Sequence, residues 1–221
     1  MELLVEQFFN IDIMRQALPI LLGGLKVTAL LCLIVIPMGL LGGLLVALGS
    51  LVPSRLVRWP LVAFVDLFRA VPPLVLLIFV YSGLPFAGIR PSPFAAVCIA
   101  FLLNNSAYYG EIFRAGIESI GRGQWEAARS TGLGQGRTLT YVILPQATRN
   151  VLPDLVSNTV EVVKLTSLAS VVALQEMLYA ADMARSVTYN ASPIVLAALI
   201  YLVLLWPVVR LMSRLEHRMG H

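Results

Sequence analysis

Charged side chains make up only 13% of this chain, where a typical soluble domain has about 25%. Hydrophobic residues reach 58%, and mean hydropathy is +0.85. A soluble protein of 221 residues cannot bury so much apolar surface, so an all-α integral membrane protein is the natural class. There are two cysteines, Cys32 and Cys98, both inside apolar runs. They read as small buried hydrophobes rather than as a disulfide or metal pair. The two histidines, His217 and His221, sit at the extreme C-terminus and read as solvated. That leaves no Ser/His/Asp or Cys/His set for catalysis. A phosphate-binding Walker A loop is also missing. The nearest run, Gly132 to Thr138, lacks the first glycine and has Arg137 in place of lysine, so no nucleotide binding is expected of this chain. The net charge of +4 is spread over loops, with no block of like charges to suggest nucleic acid.

What the chain has instead is long runs without charge. Val27–Ser54 is charge-free for 28 residues, long enough to span a bilayer with tilt. Its Gly39, Gly42 and Gly43 give a smooth face for close helix packing. Ala70–Ile89 follows, with Pro72 and Pro73 predicting a kink near its start. Asp66 and Arg69, just before it, are spaced to pair at i,i+3. Pro91–Gly110 is the third run, and its polar residues cluster late: Asn104, Asn105, Ser106, Tyr108 and Tyr109. Amides at this depth need partners, so Asn104 and Asn105 either bond other helices or line a substrate path. Pro145–Val172 is the least apolar span, carrying Arg149, Asp154, Glu161 and Lys164. Each central charge costs about 2.5–3.5 kcal/mol on insertion scales, so this segment faces protein or water. Pro153 predicts a kink within it. Ser186–Val209 is the fifth span, with Trp206 suited to an interfacial belt. Before the first span, Met1–Gln16 reads as a surface helix or a frayed amphipathic tail. Gln175–Arg185 reads as a short outer helix, and Arg210, Arg214 and Arg218 form a stripe suited to anionic headgroups. Length fits one domain, 1–221.

Counting lysine and arginine sets the orientation. With five spans, ten of these residues fall in loops and tail on one side and four on the other. The positive-inside rule then puts the N-terminus outside and the C-terminus inside. The polar passage from Glu126 to Pro145 falls in the cytoplasm. It begins with good helix formers, Glu126, Ala127, Ala128 and Arg129. Gly132 then permits a sharp reversal, and a second short helical stretch, Arg137–Val142, leads to Leu144-Pro145. The residues alone leave this passage open between an ordinary loop and a docking element.

The spacing Glu126-Ala127-Ala128, then Gly132, Val142 and Leu144-Pro145, resembles the EAA loop of the membrane subunits of bacterial ABC importers. Phe68-Arg69-Ala70-Val71-Pro72, Tyr81-Ser82-Gly83-Leu84-Pro85, Tyr109-Gly110-Glu111-Ile112-Phe113-Arg114 and Ile143-Leu144-Pro145-Gln146-Ala147 are similar to segments of the permeases for polar amino acids. This resemblance implies a coupling helix within about 120–145, in which Glu126, Ala127, Ala128, Arg129 and Gly132 meet a cytoplasmic ABC ATPase dimer. The ATPase subunits bind ATP and Mg, and this chain holds no cofactor of its own. The other implied partners are a second permease subunit, identical or homologous, an extracytoplasmic solute-binding protein and the lipid of the inner membrane. The cargo implied is a polar amino acid, moved by alternating access. An opine, a betaine or a non-transporting scaffold remains an alternative.

The candidate substrate pathway comprises Glu161, Lys164, Asn104, Asn105, Arg69, Thr166 and Ser167. Glu161 and Lys164 lie one turn apart. They either pair with each other, or Glu161 faces the pathway and attracts an ammonium while Lys164 or Arg69 draws a carboxylate. One departure stands out: relatives often carry Lys-Asp-Thr-Ser-Leu, whereas Lys164 is followed here by Leu165 and then Thr166-Ser167-Leu168.

Overall fold

A computed structural model describes the backbone of residues 2–219 and the side chains of residues 2–211. The stripe expected at Arg214 and Arg218, and the solvated His217 and His221, lie outside the described side chains. The described residues are helical, with no strand among them.

The chain opens with α1 (Glu2–Phe8) and α2 (Ile11–Ser50). At 1.5 Å per residue, α2 is about 60 Å long. Asn10 starts it, its Oδ1 accepting from the Ile13 N–H at 3.1 Å. The first span was expected to begin at Val27, with a separate surface helix over the first sixteen residues. Instead one helix runs from Ile11 through Lys26, because nothing between them stops it: Pro19 is tolerated inside the helix, and Gly24 is used for packing. A Cβ at Gly24 would lie 2.7 Å from the Glu176 carbonyl oxygen.

The second span was expected as one kinked helix over Ala70–Ile89. The structure has α3 (Arg55–Ala70) and α4 (Pro73–Ile78), the latter extended by a π turn and a 3-10 turn to Ala87. The two arms meet at 103°. Two successive prolines explain the size of the break. Val71 and Pro72 are extended, at φ −79°, ψ 126° and φ −57°, ψ 133°, because a residue before proline is pushed out of the α region. Neither proline can donate into the helix.

The centre of the fold is α5 (Pro93–Glu118), half of whose 26 residues are buried. It packs along α2, where the expected glycine face does its work. A Cβ on Gly43 would sit 2.5 Å from Tyr109 Cβ, and one on Gly39 2.9 Å from Asn105 Cβ. Phe101 and Tyr109 fill this seam. The Tyr109 hydroxyl bonds Thr159 Oγ1 at 2.8 Å, tying α5 to the later helix over Leu152–Leu165.

After α5 come α6 (Arg122–Ser130), α7 (Gln135–Thr138) with a π turn to Ile143, α8 (Leu144–Asn150) and α9 (Leu152–Leu165) with a 3-10 turn to Val172. The expected fourth span, Pro145–Val172, is split at Val151, at φ −102° and ψ 10°. Pro153 cannot extend an earlier helix but suits the first turn of a new one. Arg149 therefore falls on α8, outside the apolar stretch Leu152–Val172. The outer helix is α10 (Met177–Thr188), and α11 (Ser192–Met219) follows a turn at Tyr189, φ 51°. That turn is why the last helix starts at Ser192 rather than Ser186. It also anchors α1: Asn190 Nδ2 donates to the Glu6 carbonyl at 2.8 Å, and the Asn10 N–H donates to Ser192 Oγ at 2.9 Å.

Among the described residues, three helical segments are long and apolar enough to cross a membrane: Glu2–Ser50, Leu152–Val172 and Ser192–Leu211. The bent pair Arg55–Ala70 and Pro73–Ala87 makes a fourth if counted as one span. The expected third span, α5, is too polar to join them; its amides and tyrosines face protein instead.

Candidate substrate pocket and coupling surface

Two prolines in sequence free two carbonyls. In an unbroken helix, Phe68 O and Arg69 O would accept from residues 72 and 73, and both of those are proline. The partners come from α5. Asn104 Nδ2 donates to Phe68 O at 3.0 Å, and the Tyr108 hydroxyl donates to Arg69 O at 3.4 Å. Asn104 and Tyr108 are four residues apart, on one face of their helix. The break in the second span is thus closed by the polar cluster noted on the third.

The same face opens on a cavity of 210 Å³ lined by Pro73, Asn104, Asn105, Tyr108, Asn158, Glu161 and Leu165. Three of the expected pathway residues, Asn104, Asn105 and Glu161, meet here. Asn105 is 1% exposed, and its Nδ2 has no protein partner; the buried Asn158 Nδ2 is in the same position. An unmade bond at a buried donor costs about 1–3 kcal/mol. Glu161 bonds the Lys164 ammonium directly, and both side chains stay about half exposed or more. Glu161 is thus paired with Lys164 and also lines the cavity.

Other expected residues fall elsewhere. Thr166 is fully buried, and its hydroxyl donates back to Val163 O at 2.6 Å. The Ser167 hydroxyl donates to Lys164 O at 2.7 Å. Neither lines the cavity, because hydroxyls one turn past a helix C-terminus bond the last free carbonyls. Arg69 does not pair with Asp66 as its spacing suggested. It reaches Glu111 at 3.6 Å, and its guanidinium carbon stands 5.7 Å from the centre of the Tyr108 ring. Arg114 grips Glu111 through two nitrogens, at 3.0 and 2.5 Å, and Glu118 at 2.6 Å. Asn158 was not singled out in the sequence. The signal available was its i,i+3 spacing to Glu161, which puts the two on one face.

At the other end of the molecule, α6 carries Glu126, Ala127 and Arg129 on its exposed side, while Ala128 is 7% exposed and faces its own domain. Trp125 packs on a cluster of Ile117, Ile120, Ile143 and Ala147. Gly132 makes the reversal, with φ +86°. The helical stretch expected over Arg137–Val142 is present, as α7 followed by the π turn Leu139–Ile143. Asn150 Nδ2 donates to Ser119 Oγ at 3.0 Å, and Gln146 Nε2 to Gln124 Oε1 at 3.3 Å, fastening α8 to both ends of the α5–α6 corner.

A model of the family of binding-protein-dependent transport system inner membrane components matches residues 39–221. The chain belongs to this family. The probable amino-acid ABC transporter permease protein YckA of Bacillus subtilis (strain 168) is 35% identical to this permease over 197 residues, covering 89% of this chain and 87% of that protein. The arginine transport system permease protein ArtQ of the same organism is 34% identical over 189 residues, covering 85% and 86%. A crystal structure of an amino acid ABC transporter with histidines matches with a TM-score of 0.84 at 34% identity, over 93% of this chain and 96% of that one. The permease is an integral membrane protein of an ABC transport system.

Proposed function

We propose that this permease moves polar amino acids inward through the 210 Å³ pocket, in a complex with a second permease subunit, two ATPase subunits and an extracytoplasmic binding protein. The observation that carries this reading is the pairing of opposite chemistries in one small cavity. The Asn105 and Asn158 amides offer unpartnered donors, which suit an α-carboxylate. Glu161 offers a carboxylate, which suits an α-ammonium or a basic side chain. The names of the similar proteins, an amino-acid permease and an arginine permease, support that cargo class.

The rest of the assembly follows from the same reading. The chain forms one domain, 1–221, and lies in the inner membrane as five spans, α5 completing the set behind its neighbours. The N-terminus is outside, in keeping with the ten-to-four bias in basic residues. Glu126, Ala127 and Arg129 lay α6 into a groove on the ATPase, and Ala128 and Gly132 hold the shape of that element. ATP and Mg sit on the ATPase subunits, whose closure pushes α6 and rocks the two membrane halves. The test is ATP-dependent uptake of radiolabelled polar amino acids by proteoliposomes holding the full complex and its binding protein. Uptake of at least one is expected. Active ATPase with uptake of none would sink the reading.

A further inference from the structure

A second cavity, of 550 Å³, is lined in part by Arg69, the residue that Tyr108 of the pocket touches. It is bounded by the C-terminal end of α2, by α3 and by the last turns of α5. Its wall carries Arg58, Asp66, Arg69, Glu111, Arg114 and Glu118, both signs of charge at short range. Four of these are joined into one network, Arg69–Glu111–Arg114–Glu118. Arg58 and Asp66 make no ion pair among the described residues. This chamber is more than twice the volume of the 210 Å³ pocket.

No side chain lines both cavities, but one contact joins a residue of each. Tyr108 lines the pocket, Arg69 lines the chamber, and the two are held face to face by the ring–guanidinium contact at 5.7 Å and by the Tyr108 hydroxyl on Arg69 O. We propose that Tyr108 and Arg69 form the inner gate of the pathway, and that the charged chamber behind them is an exit vestibule that receives the released zwitterion. The placement of the chamber toward the cytoplasm rests on the orientation proposed above. The gate has a built-in hinge. Arg69 and Ala70 end α3, and the prolines that follow cannot transmit helical hydrogen bonding to α4. A swing of α3 therefore has to break the two bonds from Asn104 and Tyr108, the ring contact and the Arg69–Glu111 ion pair, and to slide its packing against α5. The mixed charge of the vestibule has a purpose in this scheme. Arg58 and Asp66 are spare charges that solvate the carboxylate and ammonium of a leaving amino acid, while the network holds the frame.

The gate can be tested apart from the cargo. In a background of Cys32→Ala and Cys98→Ala, single cysteines at Asp66 (vestibule) and Asn158 (pocket) are labelled in inside-out vesicles holding the complete complex, without nucleotide, using a small impermeant thiol reagent. Asp66→Cys is expected to react freely. Asn158→Cys is expected to react slowly, and about tenfold faster when Tyr108→Ala is added, as for loss of about 1.4 kcal/mol of closing free energy. Arg69→Met gives the same acceleration through the other half of the pair and serves where Tyr108→Ala fails to assemble. Tyr108→Phe, which keeps the ring, stays slow. Equal labelling of Asn158→Cys with and without these changes would overturn the gate. Absence of amino acid uptake by the unsubstituted complex, with the labelling contrast intact, would fault the transport reading and leave the gate standing.

Discussion

Replacing Gly43 with alanine gives the sharpest test of how this fold is held together. The added Cβ would stand 2.5 Å from Tyr109 Cβ, 2.7 Å from the Gly110 nitrogen and 2.8 Å from the Tyr109 carbonyl carbon. Carbon atoms rest at about 3.5–4.0 Å, so α2 and α5 must part by about 1 Å. Two of the three contacts are backbone, which no rotamer change can move. Overpacking of a close-fitting core costs about 1–3 kcal/mol. In a membrane that loss is not recovered by the hydrophobic effect, because helix association there depends on packing and hydrogen bonds. The separation also pulls Tyr109 away from Thr159. Gly23→Ala is the control: it lies on the same helix, with nothing within 4 Å of its Cβ, and the change removes a poor helix former worth about 0.8–1.0 kcal/mol. Thermal unfolding of the detergent-solubilised permease is the assay. Gly43→Ala lowers Tm, and Gly23→Ala leaves it equal or higher. Matching melting curves for the two would refute the close-contact argument.

Glu161→Gln is expected to weaken uptake of cationic amino acids more than neutral ones, since it removes a charge and keeps the shape. Equal loss for all substrates, restored by adding Lys164→Met, would assign the pair to structure alone. At the coupling end, Ala127→Trp is expected to abolish substrate-stimulated ATP hydrolysis without loss of membrane insertion, because Ala127 is exposed. Gly132→Val forces a β-branched residue to φ +86°, a left-handed conformation costing about 1–2 kcal/mol, and lowers the same readout. Normal stimulation in the double variant would count against docking by α6. Glu176 is fully buried, and its two carboxylate oxygens accept from the Leu178 and Tyr179 N–H groups at 2.8 and 2.7 Å, capping α10. Burial pushes its carboxyl above the usual range, against the pull of those two bonds. Glu176→Ala loses the cap, about 0.5–2 kcal/mol, and an unchanged Tm would exclude that role.

Patterns that depend on one residue type at a fixed spacing were legible in the sequence. Gly39, Gly42 and Gly43 announced a close-packing face, though not that α5 would fill it, and Gly132 the reversal after α6. The charge-free runs located the spans but not their ends. A lone Lys26 does not stop a helix, so α2 begins at Ile11 rather than where the charges cease. Pro72 and Pro73 gave the place of a bend, but its 103° angle is set by where α5 lets the freed carbonyls be satisfied. Ala128 and Ala127 look alike in sequence, yet one is buried and the other exposed. That depends on how Trp125 seats against Ile143 and Ala147, a contact between segments about twenty residues apart. Glu176 fell within the short outer helix expected over Gln175–Arg185; it is buried because the glycine at position 24 lets α2 close over it.

The pocket and the hinge share residues for a physical reason. A broken helix in a membrane is stable only where a neighbour satisfies its backbone, so Pro72-Pro73 requires polar side chains at the depth of the break. Those side chains must be rigidly placed, and α5, packed through Gly43 and Gly110, is the most constrained helix available. Once Asn104 and Tyr108 stand there, the adjacent amides of Asn105 and Asn158 complete a polar lining. The cavity in which we propose that a zwitterion binds is then built from the groups that tolerate the bend. A ligand that draws on Asn104 or Tyr108 competes directly with the Phe68 and Arg69 carbonyls. Occupancy of the pocket and the angle between α3 and α4 are therefore linked without any longer pathway.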